Sequence, residues 1–158
     1  MTFELKSAAF YAGGDIPRKS TCDGLDVSPP LSWGEPPAGT RSISLIVDES
    51  DAHVGTREHR VLYDPPASTR ELPENIPKDQ ELKNRAPQGR NDFGKIGYGG
   101  PCPPPGRPHR YFFKLYALDA KLTSKPTLTA VGFSPTSIKN QVASSRLRRS
   151  YRSPQKSP

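Results

Sequence analysis

The sequence predicts a mainly β, loop-rich domain, and three observations lead there. Proline and glycine supply 19 and 13 of the 158 residues, well above average usage. Only 32% of residues are hydrophobic and the mean hydropathy is -0.72, which disfavours long helices and a large core. The apolar residues fall in short runs, several of them alternating with polar ones. A chain of this length makes one domain, since domains usually run to roughly 100–150 residues.

Taken in order, Phe3-Glu4-Leu5-Lys6-Ser7 alternates apolar and polar residues and reads as a strand. Arg41 to Asp48 alternates and then closes on the apolar pair Ile46-Val47, the clearest strand in the chain. Arg60-Val61-Leu62-Tyr63 is a further short strand, stopped by Pro65-Pro66. Leu82 to Pro108 holds 12 glycines and prolines in 27 residues. A loop of that length inside a domain is usually functional or disordered. Glycines permit close backbone approach and prolines lower the entropy lost on ordering, which favours an ordered, ligand-cradling loop. Tyr111 to Leu118 is apolar on both alternating sets and predicts a central strand covered on two sides. The remaining pattern is helical: Ile138, Val142 and Leu147 fall near one face between Ser137 and Arg149, after the cap pair Ser134-Pro135. No internal repeat is visible.

The formal charge of +7 is unevenly placed. Residues 1–119 carry 15 Lys and Arg against 16 Asp and Glu, whereas residues 120–158 carry 8 Lys and Arg and no acid. The run Arg146-Leu147-Arg148-Arg149 has the composition of a polyanion- or membrane-surface-binding segment, set against a solvated, partly disordered terminus. No window is apolar enough for a membrane-spanning helix, and Met1 to Lys6 lacks the features of a signal peptide, so a cytoplasmic location is expected. Cys22 and Cys102 are too few for a disulfide framework and have no C-x-x-C spacing; whether they pair is left open.

The candidate chemistry gathers where strands meet loops. His59 follows the acidic stretch Asp48-Glu49-Ser50-Asp51 and precedes the strand at Arg60; His109 ends the Gly/Pro loop and precedes the strand at Tyr111. A zinc site would need more ligands at tighter spacing, and no metal is expected. A hydrolase would need an activated nucleophile, but there is no G-x-S-x-G elbow and Cys102 with His109 lacks a third partner. The residues fit an anion site best, with His side chains, a Tyr hydroxyl and glycine-loop N–H groups donating to phosphate while carboxylates hold a cationic substituent.

Four segments together resemble the phosphatidylethanolamine-binding protein family, in its bacterial and archaeal branch of Raf kinase inhibitor-like proteins. They are Thr21-Cys22-Asp23-Gly24-Leu25-Asp26-Val27-Ser28-Pro29-Pro30-Leu31-Ser32-Trp33, then Val47 to Tyr63, then Pro66 to Pro73, and finally Gly97 to Asp119 with its Gly-Pro-Cys-Pro-Pro and His-Arg-Tyr strings. The resemblance covers about residues 3–119 and implies an antiparallel β-sandwich of two sheets with few short helices, long Gly/Pro-rich loops and a small pocket at one end. Carried over residue by residue, that pocket would use Glu49, Asp51, His59, Gly100, Pro101, His109 and Tyr111. Asp23 and Asp26 fit turns outside it, and Trp33 fits the core.

Three departures from the family pattern stand out. Glu49-Ser50-Asp51-Ala52-His53 replaces the usual D-P-D-A-P, lengthening one carboxylate and losing two prolines. Arg60 replaces the usual Trp after the histidine: it either adds a phosphate contact or, buried without a partner, destabilises. The ending at 120–158 looks foreign, as after a frameshift or replacement, so the domain body is expected at 1–119. The resemblance implies a non-enzymatic protein, without cofactor, that binds a phosphate-type anion or phosphorylethanolamine headgroup and modulates a partner such as a kinase or protease. A homodimer is compatible and nucleic acid is not the expected partner. The alternatives are a cryptic hydrolase using His59 or His109 with Asp51, and a phosphate-polymer or membrane-surface binder acting through the basic tail.

Overall fold

The computed structural model describes residues 3–10, 14–51, 57–63, 65, 66, 68–79, 82, 88–119 and 141–154. In chain order its strands are β1 (Leu31–Ser32), β2 (Ser42–Glu49), β3 (Arg57–Tyr63), β4 (Glu71–Leu72), β5 (His109–Leu118) and β6 (Gln141–Tyr151), and a 3-10 turn at Arg18–Ser20 is the helical element among the described residues. Both sheets are antiparallel. One pairs β1 with β4; the other runs β3-β2-β5-β6. No helix among the described residues is long and apolar enough to cross a membrane.

Strand alternation sorts the larger sheet into two faces. Ile43, Leu45 and Val47 of β2, Leu62 of β3 and Tyr111, Phe113 and Leu115 of β5 turn toward the small sheet and join Leu31, Trp33 and Leu72 in one core cluster. Ile46, Val61, Tyr63, Tyr116 and Leu118 pack on the opposite face. Strands β2 and β5 are therefore covered on both sides, as the two apolar sets of Tyr111 to Leu118 predict. Trp33 is buried and its indole N–H donates to Thr69 O at 3.0 Å.

The sequence reading is corrected in three places. The helix expected from Ser137 to Arg149 is not formed: residues 137–140 lie outside the described residues, and 141–151 are strand β6, paired along β5 from His109↔Tyr151 to Leu118↔Gln141. Its real period is two, with Val142, Ser144, Arg146 and Arg148 exposed, Leu147 packed on the core and Tyr151 buried. The open ladder edge of β5 supplies hydrogen bonds that outweigh a weak helical pattern containing three serines. Phe3–Ser7 does not form a full strand. Lys6 bridges Ser32 through bonds of 2.8 and 2.9 Å, and β1 is too short to extend the ladder. Finally, β3 begins at Arg57 and β5 at His109, so both candidate histidines lie within strands rather than ahead of them.

Candidate functional site

The site grows from an irregularity in the β2–β3 ladder. Val47 pairs with Arg60, but Asp48 pairs with Glu58, so His59 is an extra residue on β3. A regular strand would send His59 and Arg60 to opposite faces. The bulge turns both toward the core face: Arg60 stands opposite Val47, and His59 reaches Glu49 and Tyr111. Across β2, Glu49 pairs with Tyr111, and His109 lies two residues before Tyr111 on the same face.

These positions bring four buried side chains together. The Glu49 carboxylate bridges two imidazoles, with Oε2 3.4 Å from His59 Nε2 and Oε1 hydrogen-bonded to His109 Nδ1. The His59 ring meets Tyr111 edge-on at 5.3 Å and Phe93 edge-on at 5.2 Å. Burial alone would raise the Glu49 pKa, but hydrogen bonds from both histidines outweigh it and hold the carboxyl below its ordinary value. The Tyr111 phenol is pushed up by burial and by the neighbouring Glu49 charge, so it stays protonated and a donor. His109, 7% exposed against 1% for His59, is the imidazole nearer solvent.

The Gly/Pro loop is ordered where it is described, and it fixes His59. Gly99 O lies 2.6 Å from His59 Nδ1, and Gly99 N–H donates to His59 O at 2.8 Å. A carbonyl only accepts, so the proton on that side of the ring sits on Nδ1. Gly100 N–H donates to Asp26 Oδ1 at 2.8 Å, and Tyr98 O–H to Ser20 O at 2.6 Å. The loop amides of Gly99 and Gly100 are thus committed within the protein and do not serve as the anion donors that the sequence reading assigned to them. Gly100 itself is dictated by packing, because a Cβ there would collide with the Ser20 carbonyl oxygen. Pro101 is buried beside it, with its carbonyl accepting from Cys22 N–H at 3.1 Å.

Two candidates fall outside the carboxylate–histidine cluster. Asp51 is clamped by Arg110, which donates through its backbone N–H (2.7 Å), Nε (3.0 Å) and a terminal nitrogen (2.9 Å). That clamp lowers the Asp51 pKa to about 2. Arg60 is fully buried on the core face near Tyr98, and none of its three guanidinium nitrogens has a hydrogen-bond partner among the described residues. It is the buried, unpartnered alternative, and burial draws its pKa down to about 10. Asp23 and Asp26 lie outside the cluster: Asp23 accepts from Tyr151 O–H, and Asp26 props the glycine loop.

Sequence reasoning missed Phe93 as a wall over His59, Gly99 as the partner of both its backbone and its ring, and Arg110 as the Asp51 clamp. The string Asn91-Asp92-Phe93-Gly94, an aromatic set among turn residues in the loop, is the signal that could have exposed the first. The cysteines left open are joined: Cys22 and Cys102 form a disulfide spanning 80 residues. Of the tail's basic residues, Arg146, Arg148 and Arg152 are exposed, while Arg149 is half-buried with its guanidinium 5.9 Å from the Phe10 ring. Lys121, Lys125, Lys139 and Lys156 lie outside the described residues.

Comparison with known proteins adds three findings. The sequence pattern of the family described as phosphatidylethanolamine-binding protein matches residues 6–152, through β6 and well past residue 119. A UPF0098 protein of Aquifex aeolicus is 50% identical over 124 residues, 78% of this chain and 72% of that one; a UPF0098 protein of Methanothermobacter thermautotrophicus is 47% identical over 122 residues, 77% and 80% of the two chains. Among solved structures, Escherichia coli YbcL, described as a member of the mammalian PEBP family, superposes with a TM-score of 0.89 at 30% identity, covering 96% of this chain and 99% of its own. The PEBP homologue CT736 of Chlamydia trachomatis gives 0.84 at 32%, covering 96% and 98%.

Proposed function

Because the chain belongs to the phosphatidylethanolamine-binding protein family, we propose that it is a binding protein whose Glu49–His59–His109–Tyr111 pocket holds a phosphorylated headgroup of the phosphorylethanolamine type. The observation that carries this reading is a pair of buried imidazoles on one carboxylate, with His109 the ring nearer solvent and the buried Tyr111 phenol beside them. His109 has Nδ1 turned to Glu49, which leaves Nε2 as the ring atom for a phosphate oxygen, and the Tyr111 hydroxyl is a second donor. Asp51 and Arg110 stand next to the cluster as an ion pair.

The same contacts favour binding over hydrolysis. Asp51 is clamped by Arg110 and both His59 nitrogens are engaged, so neither supplies the Asp51–histidine pair of a hydrolase, and the His109 Nε2 left free by the Glu49 contact serves as a donor to the headgroup. A headgroup held at one end of the sandwich suits a modulator of a partner protein, such as a kinase or protease. An exposed disulfide is at home in an oxidising compartment, or in the cytosol of a hyperthermophile, rather than in an ordinary reducing cytoplasm.

The test is a thermal melt of the full chain with phosphorylethanolamine, alongside His109→Ala and Tyr111→Phe. A ligand at a hundredfold excess over its dissociation constant adds about 2.7 kcal/mol of stability. The shift should appear in the parent, vanish in His109→Ala and shrink in Tyr111→Phe. A cooperative parent melt that the ligand leaves unmoved would overturn the proposal.

A further inference from the structure

The Cys22–Cys102 disulfide joins two segments that both serve the site. Residues 18–26 supply Ser20 O and Asp26 Oδ1, which hold Tyr98 and Gly100; residues 99–102 carry Gly99, which holds His59 by both backbone and ring. Both cysteines are exposed, and both line a cavity of about 320 Å³ together with Lys78, Lys95, Gly99 and Gly100. A thiol entering this cavity therefore meets the disulfide directly; Lys95 lines the same cavity, and the Lys78 ammonium there is paired with Asp26. Exposed disulfides are the labile class, in contrast to those sealed in a core.

We propose that Cys22–Cys102 is a redox-responsive site, reduced by thiol–disulfide exchange with a dithiol, and that its state sets the order of residues 99–102 and so the affinity of the headgroup pocket. In the exchange one thiolate of the dithiol attacks a cysteine sulfur, forming a mixed disulfide and releasing the other cysteine, which takes a proton. The second thiol then displaces the remaining cysteine. Two protons and two electrons pass to the protein as two thiols, and the dithiol leaves as its own disulfide. Once the covalent tie is broken, residues 98–102 are fastened to 18–26 by individual hydrogen bonds, chiefly Gly100 N–H to Asp26, Cys22 N–H to Pro101 O and Tyr98 O–H to Ser20 O. With only these bonds to hold it, local opening becomes easier.

The affinity part of this proposal rests on the headgroup reading; the loop part does not, and the experiment separates them. Dithiothreitol is added to the folded full-length protein, and thiol titration, amide hydrogen exchange at Gly99 and Gly100 and phosphorylethanolamine affinity are followed, with Cys22→Ser/Cys102→Ser as the locked form. Reduction should speed exchange at both glycines by about tenfold or more and weaken binding to a similar degree, while the double-serine variant matches the reduced protein and ignores the dithiol. A disulfide that resists dithiothreitol in the folded protein, or glycine exchange rates equal in both states, would overturn the redox site. Exchange that responds to reduction in a protein that binds no phosphorylethanolamine in either state would support the redox site and remove the headgroup reading instead.

Discussion

Replacing Arg60 with methionine should stabilise this protein, against the usual direction of a core substitution. The guanidinium is fully buried beside Tyr98, and no hydrogen-bond acceptor meets it among the described residues. Its pKa falls from 12.5 to about 10, chiefly because burial strips it of water, with a small opposing contribution from Tyr98. At 1.36 kcal/mol per pH unit that displacement corresponds to a penalty of about 3 kcal/mol on the charged form. The sign follows from linkage. A base with a depressed folded pKa destabilises fully below about pH 10, and relief comes only as pH rises from there toward 12.5. At neutral pH the whole penalty is present. Methionine keeps an unbranched, flexible stem without charge, and replacing buried ionic groups by apolar ones of similar volume gains roughly 1–4 kcal/mol. Melting of parent and Arg60→Met by circular dichroism at pH 7 should differ by about 6–12 °C, since 1 kcal/mol moves a domain of this size by roughly 2–4 °C. A cooperative Arg60→Met melt at or below the parent temperature would refute the reasoning and show that the guanidinium is compensated in the folded chain.

Three other outcomes are expected. Glu58, raised to about 7 first by burial and then by the Asp48 and Asp92 charges, makes the fold lose stability as pH rises from about 4.5 to 7. Allowing for solvent screening the loss is about 1–2 kcal/mol, and urea titrations across that range should show it in the parent and not in Glu58→Gln. Gly100→Ala forces its Cβ onto the Ser20 carbonyl, so a loss on the order of 1–3 kcal/mol together with weakened headgroup binding is expected; a stable, fully binding Gly100→Ala protein would contradict the packing described. Opening the 80-residue disulfide loop with Cys22→Ser/Cys102→Ser should cost up to about 4–5 kcal/mol in the chain-entropy account, read as a drop in denaturant midpoint, and an unchanged midpoint would mean the loop is already closed by other contacts.

Much of the architecture is readable from local pattern. The alternation in Arg41 to Asp48 and the doubly apolar run Tyr111 to Leu118 specify the two central strands, because periodicity and burial on one or two faces are properties of a few consecutive residues. The Gly/Pro loop announces order through its own backbone chemistry, and where it is described its hydrogen bonds to His59 and Asp26 hold it in place. Strand β6 is different. Val142 to Ser150 carries too little apolar residue to declare a period, and its structure comes from the unpaired edge that β5 presents. The grouping at the site is likewise a tertiary decision. Glu49, His59 and His109 lie up to 60 residues apart, and their meeting depends on the β2–β5 register and on one extra residue in β3. That bulge turns His59 toward the carboxylate and Arg60 into the core together, where strict alternation would have separated them. Residue types determined which chemistry was available here, a carboxylate, two imidazoles and a phenol. Register and the bulge, which depend on long-range pairing and leave no mark in a short window of sequence, decided which of those groups share a pocket and which cation is left buried among apolar neighbours.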